Sequence, residues 1–322
     1  MFTNKDILNR SIVIVNGLDD RAIRVITGEL AIVDTNENKT LTKIPFQKIL
    51  AIFVIGHTTI TTPLIDKCTK FGIPLIVMKS NFRIVFFFAI TAEANYLLRK
   101  KQYEYQKENL LIPKVIVSNK IRNQIRLLEK TRLKNESIEY AKNQCNYFLL
   151  SISEIDAYDN LMGVEGRAAK YFFAAYFSEL GWKGRRPRTK IDPINATLDI
   201  GYTILFNYIE AFVRMFGFDP YRGVYHQLWF KRKSLICDLM EPFRCLIDRQ
   251  VRKAFNTKQC QLTDFNKVKD EYFLKTEKNK DYSKMFYEVL VEHKSSVFKY
   301  IQAYYRAFMQ NKPADLYPQF DI

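Results

Sequence analysis

Up to about residue 92 the chain alternates short apolar runs with turn residues: "RSIVIVNG", "RAIRVITGELAIVD", "KTLTKIPFQKILAIFVIG", "GIPLIVMKS" and "NFRIVFFFAIT". These runs are rich in Ile, Val, Thr and Phe and are bounded by Gly, Asn and Asp, which predicts strands. One stretch breaks the pattern. Residues 61–71, "TTPLIDKCTKF", put a proline at a first helical turn and space their apolar residues as a short helix does. From about residue 93 the period changes: "AEANYLLRKKQYEYQKENLL" and "SNKIRNQIRLLEKTRLKN" repeat apolar residues at helical spacing with charges between them. Everything beyond reads as helical. "DPINATLDIGYTILFNYIEAFVRMFG" has the grammar of a complete helix, with Asp192 as N-cap, Pro193 in the first turn and Gly217 after the last. "DYSKMFYEVLVEHKSSVFKYIQAYYRAFMQN" predicts another long helix, and "KPADLYPQFDI" a frayed end. The expected fold class is α+β, with a small, mainly β domain over residues 1–92 and a larger all-α domain over residues 93–322.

Composition narrows the partners. Fifty Lys and Arg stand against 34 Asp and Glu, a net charge of +16 with a pI near 9.5, which favours a polyanion. Residues 1–100 carry about +5 of this and the remainder about +11, so the second part is the better nucleic-acid surface. The five cysteines, Cys68, Cys145, Cys237, Cys245 and Cys260, include no C-x-x-C pair and read as reduced thiols. "MFTNKDILNR" interrupts its apolar residues with charge and lacks the core of a secretory signal. "IVFFFAI" is far short of the roughly 20 residues that cross a bilayer. The expectation is a soluble, cytoplasmic protein.

Three segments carry candidate chemistry. In "NLMGVEGRAAKYFFAAYF", Glu165 stands between Gly163 and Gly166, which let a backbone or a phosphate approach the carboxylate. A helix N-terminus, where the dipole favours Glu, explains the same residues. In "GVYHQLWFKRKSLICDLMEPFR", Asp238 and Glu241 are three apart and share a helix face, within reach of one ion together with His226. D-x-x-E followed by Pro242 is also a capping pattern. In "GWKGRRPRTKIDP", Lys183, Arg185, Arg186, Arg188 and Lys190 crowd a Gly- and Pro-containing loop suited to phosphate contacts, and Lys231, Arg232 and Lys233 add charge beside His226. Metal-ligating groups flanked by cations are what phosphodiester chemistry requires.

"GVEGRAAKYFF", "RPRTKIDPINATLDIGYTIL", "GFDPYRGVYH" and "SLICDLMEPFRCLIDRQV" resemble, in order and at similar spacing, the motifs of the CRISPR-associated adaptation integrase family, Cas one, historically called an endonuclease. The resemblance covers most of the chain, with its specific motifs between residues 160 and 252. It implies a small β domain that mediates dimerisation, joined to a helical catalytic and DNA-binding domain. It further implies a site for Mg²⁺ or Mn²⁺ made by Glu165, His226 and Glu241, with Asp238 auxiliary. The loop "QLWFKRK" is bulkier and more basic than the Gly-rich turn often found there. The implied reaction joins a captured DNA fragment to a CRISPR repeat through attack of a 3′-hydroxyl on a phosphodiester. The implied partners are double-stranded DNA, a second copy of the chain, and the companion protein Cas two in a 4:2 complex. Two other readings use the same residues: a metal-dependent nuclease with no integration role, and a non-catalytic nucleic-acid-binding module.

Overall fold

The computed structural model describes residues 3–89, 95–106, 108–132, 134–182 and 184–322. A short helix, α1 (Asn4–Asn9), opens the chain. It is fixed by a capping box in which Thr3 Oγ1 accepts from the Asp6 N–H and the Asp6 carboxylate accepts from the Thr3 N–H. The sequence reading missed it. The predicted strands follow: β1 (Ser11–Asn16), β2 (Arg21–Ile26), β3 (Glu29–Asp34), β4 (Lys39–Ile44), β5 (Ile49–Ile55), β6 (Leu75–Met78) and β7 (Ile84–Phe88). The predicted helix α2 (Thr62–Phe71) joins β5 to β6 and stops at Gly72, whose φ of 65° only glycine adopts without cost.

The strands form two sheets. β2, β3 and β4 make an antiparallel meander, while the second sheet has the order β1-β5-β6-β7, parallel except for the β6–β7 pair. β5, "ILAIFVI", is buried at every position, as a strand covered on both faces must be. One face packs with Val13, Val15, Leu30, Phe46 and Leu64, and the other joins the core of the helices. Phe53 carries that second contact, its ring 6.0 Å from Tyr208 and 5.5 Å from Tyr287. The expected domain boundary at 92/93 lies outside the described residues.

The helical part contains α3 (Tyr96–Glu104), α4 (Leu111–Lys130), α5 (Glu136–Ser151), α6 (Tyr158–Tyr176), α7 (Pro193–Met215), α8 (Ser234–Met240), α9 (Arg244–Asn256), α10 (Asn279–Glu292) and α11 (Lys294–Met309). α7 begins as the sequence predicts, with the Asp192 carboxylate accepting from the Asn195 N–H at 2.7 Å. Among the described residues no helix is long and apolar enough to cross a membrane.

Three expectations need correction. The helical part is not all-α: β8 (Phe265–Val268) and β9 (Glu271–Leu274) form a hairpin, turning at Lys269 with φ 56°. Strands of four residues are too short to display a period of two. The predicted long C-terminal helix breaks at His293, whose Nδ1 competes for the Val289 carbonyl at 2.9 Å. The final residues are not frayed. Phe320 is buried, and its carbonyl accepts from Asn119 and Asn123 of α4 at 2.7 and 2.8 Å.

Candidate active site

Residues from five parts of the chain line one cavity of about 800 Å³. α4 contributes Lys120, α6 contributes Glu165, and the segment before α8 contributes His226. The turn leading into α9 contributes Glu241, with Arg244 as the first residue of that helix, and the loop before α7 contributes Arg185 and Arg188. Glu241 opens a single 3₁₀ turn, Glu241–Phe243, that links α8 to α9. The turn is tied to α4, because the Pro242 carbonyl accepts from Asn123 Nδ2 at 3.0 Å. The placement of Glu241 therefore depends on the same helix that carries Lys120.

Lys120 Nζ lies between the two acidic groups. It pairs with Glu165 Oε1 and sits 2.7 Å from Glu241 Oε2, which also receives Arg244 Nε at 2.8 Å. Burial opposes the charge of Glu241, yet Arg244, Lys120 and His226 outweigh it and hold the carboxyl down to about 2. Burial likewise opposes the charge on Lys120, and Glu165 and Glu241 overcome it to raise the ammonium above its ordinary value. On the other side Tyr225 donates from its hydroxyl to Glu165 Oε2 at 2.6 Å.

Asp238 is fully buried and organises the histidine. Its Oδ2 accepts from the N–H groups of Val224 and Tyr225 at 2.7 and 3.0 Å, and its Oδ1 from the His226 N–H at 2.8 Å. Oδ1 also lies 2.7 Å from His226 Nδ1. An ionised carboxylate can only accept, so Nδ1 donates and Nε2 is left as the ring nitrogen able to take a metal. The capping reading of D-x-x-E does not hold. Asp238 stands inside α8, and neither α8 nor the following turn has a side-chain cap. The helix-start reading of Glu165 fails too, because α6 begins seven residues earlier at Tyr158.

The basic residues divide. Arg186, Arg188 and Lys231 are exposed. Arg185 is held against α7 by Asn195 at 3.0 Å and Asp199 at 2.5 Å, and its guanidinium stacks over Tyr202. Lys190 lies over the Phe273 ring of the hairpin, and its carbonyl accepts from the Tyr272 N–H at 2.8 Å. The β8–β9 hairpin that sequence patterning missed thus pins the basic loop. Lys233 is turned to the buried Glu210, 2.7 Å from both carboxylate oxygens, which takes its charge out of the surface. Arg232 is half-buried. Lys183 lies outside the described residues.

The donors are chemically suited to Mg²⁺ or Mn²⁺: two carboxylates and an imidazole. A cation, the Lys120 ammonium, is already what the two carboxylates hold between them. Among the described residues no three acidic, His or Cys side chains converge on one point as they stand, so an ion here would take the place of the ammonium.

Asp248 also lines the cavity and is buried, and burial pushes its carboxyl up to about 7 although the Tyr202 hydroxyl donates to it. The folded state therefore binds this proton more tightly than the unfolded chain. Stability contributed by the protonated form is complete below about pH 4 and falls as pH rises towards 7, by roughly 4 kcal/mol. Asp248→Asn is expected to flatten that decline, measured as the urea midpoint between pH 4 and 8. A variant whose midpoint tracks the wild type across this range refutes the assignment.

The family described as CRISPR associated protein Cas1 matches residues 19–288. The chain belongs to the Cas1 family. A curated relative, the CRISPR-associated endonuclease Cas1 1 of Thermodesulfovibrio yellowstonii, is 28% identical over 284 residues, 84% of this chain and 89% of the relative. A chain of a Cas6-RT-Cas1–Cas2 complex has a TM-score of 0.78 at 22% identity, covering 97% of this chain and 36% of that one. A casposase bound to integration product has a TM-score of 0.75 at 17% identity, covering 94% and 91%. At these identities the two structures speak for the fold. Lys120, Tyr225 and Arg244 escaped the sequence reading of this Cas1. Only Arg244 left a trace, three residues after Glu241 on what continues as a helix.

Proposed function

We propose that this Cas1 chain is a metal-dependent DNA integrase of CRISPR adaptation, with associated endonuclease activity, and that Glu165, His226 and Glu241 are its metal ligands. The observation that carries the reading is the common cavity of these three side chains, flanked by exposed arginines, in a member of the Cas1 family. A divalent ion held there would polarise the scissile phosphodiester and offset charge on the attacking and leaving oxygens. Arg186 and Arg188 hold the DNA backbone beside the cavity mouth. Asp238 fixes the His226 ring through Nδ1, and Tyr225 orients the Glu165 carboxylate. The fragment's 3′-hydroxyl forms a new bond to phosphorus and loses its proton to solvent. The bond from phosphorus to the repeat's 3′-oxygen breaks, and that oxygen takes up a proton. One phosphodiester replaces another, so no nucleotide cofactor is consumed.

The fold-level likeness to a Cas1–Cas2 assembly and to a DNA-bound casposase supports the partners. These are double-stranded DNA, a second copy associating through residues 1–92, and the companion Cas2 in a 4:2 complex. The test incubates the chain and its companion with a 3′-hydroxyl fragment, a repeat-containing plasmid and Mg²⁺ or Mn²⁺. Joined products that disappear on chelation are expected. Hydrolysed products alone point to the nuclease reading, and products indifferent to divalent ions overturn the metal site.

A further inference from the structure

The turn between His226 and α8 presents a feature that phosphodiester chemistry does not use. Trp229 and Phe230 are 77% and 82% exposed, and Leu228 is 47% exposed. The chain has two tryptophans. The other, Trp182, packs against Phe173 and Phe177 and donates to Asp192 at 3.2 Å, as an indole in a folded protein normally does. Trp229 is held out of the core by a closed turn. The Arg232 N–H donates to the Trp229 carbonyl at 2.9 Å, and Ser234 Oγ donates to the Gln227 carbonyl at 2.9 Å. Lys231 adopts a left-handed φ of 59° at the turn. The aromatic tip is thus anchored at its base while its rings face solvent.

Its position and charge say what meets it. His226 lines the main cavity, and it also lines a second cavity of about 350 Å³ together with Gln227 and Leu228, so the tip, which begins three residues after His226, follows directly on the wall that the two cavities share. The Lys231 ammonium lies 5.1 Å from the Phe230 ring centre, which puts a cation beside the aromatic faces. Two rings and a leucine on one tight turn offer far less area than the roughly 800 Å² a stable protein partner covers. Flat aromatic faces next to a cation match a nucleobase and its phosphate.

We propose that Trp229 and Phe230 form a stacking wedge for nucleobases next to the phosphodiester under attack. The wedge engages bases that have left the duplex stack, so this Cas1 prefers DNA that is unpaired or easily opened at the joining site. The rings are positioning residues: they hold strands in place and do not touch the reacting atoms. The inference rests on the proposed DNA reading.

The test compares the full chain with Trp229→Ala/Phe230→Ala and with Trp229→Phe, without divalent ion so that no joining occurs. The probes are two duplexes of one sequence, one fully paired and one flared by mismatches at the joining site. The wild type is expected to bind the flared duplex roughly ten-fold more tightly and to lose Trp229 fluorescence on binding it. The double variant is expected to lose the preference at an unchanged melting temperature, whereas Trp229→Phe keeps the preference and loses the quench. DNA binding with equal affinity for both duplexes by wild type and double variant overturns the wedge alone. No DNA binding by the wild type overturns the DNA reading as well. Binding to anionic phospholipid vesicles, or self-association through the tip, that the wild type shows and the double variant loses while DNA preference is unchanged gives the tip to another occupant.

Discussion

Glu241→Ala is expected to abolish strand transfer and to lower the unfolding free energy by about 3–5 kcal/mol. The carboxylate is 2% exposed and holds two cations, Lys120 at 2.7 Å and Arg244 at 2.8 Å. Removing it leaves both facing Glu165 alone, and an uncompensated charge in the interior costs more than the pair contributes. Held down to about 2, the Glu241 carboxyl gives its stabilisation in full above about pH 4.5 and loses it as pH falls through 2. Glu241→Gln separates the two effects, keeping the volume while removing the charge, so it loses activity as fully with a smaller loss of stability. Lys120→Met makes the opposite change. Glu165 and Glu241 then lack the ammonium between them, and Mn²⁺ is expected to raise the melting temperature of this variant more than that of the wild type. Wild-type joining by Glu241→Ala removes the residue from the site. A Lys120→Met protein with no extra response to Mn²⁺ shows that the ammonium is not where the ion binds.

How much of this was readable depended on whether the cause was local. α7 was legible because Asp192, Pro193 and Gly217 mark its ends in the chain itself. The five N-terminal strand-forming runs were legible because β-branched residues alternate with turn residues, although the second and third each hold two strands. α6 was misread because Ala157 precedes it and caps nothing, so its start is unmarked and the glycines around Glu165 drew attention instead. The β8–β9 hairpin was missed for want of a Gly or Asn at its turn.

In the site, individual donor residues were visible and their partners were not. Glu165, His226 and Glu241 stood out by residue type and then by resemblance. Lys120 did not, since a lysine on a helix normally points to water, and its role comes from meeting two carboxylates 45 and 121 positions away in the chain. Asp238 and Glu241 show the same limit. D-x-x-E is one string whether it caps a helix or divides its work between clamping a histidine and facing a cavity, and only tertiary structure separates the two.

Gly223→Ala is expected to slow joining by about 10- to 100-fold without touching a proposed ligand, and to destabilise the fold by about 1–3 kcal/mol. In "YRGVYH" this glycine reads as a turn residue, yet its reason lies across space. A Cβ at position 223 would stand 2.5 Å from Asp238 Oδ2, 2.9 Å from the Ser234 carbonyl carbon and 3.0 Å from the Leu235 nitrogen. The last two are backbone at the start of α8, where the Leu235 N–H donates to the Pro220 carbonyl at 3.0 Å, so they have little room to yield. The Asp238 carboxylate must move instead. Doing so breaks its bonds to the Val224 and Tyr225 N–H groups and pulls Oδ1 away from His226 Nδ1. The imidazole then loses the partner that fixes both its tautomer and its direction. Single-turnover joining rates and Mn²⁺ affinity should both fall, while affinity for paired DNA stays close to that of the wild type because the exposed arginines are untouched. Unchanged joining and Mn²⁺ binding in Gly223→Ala would mean that His226 does not depend on Asp238 for its orientation.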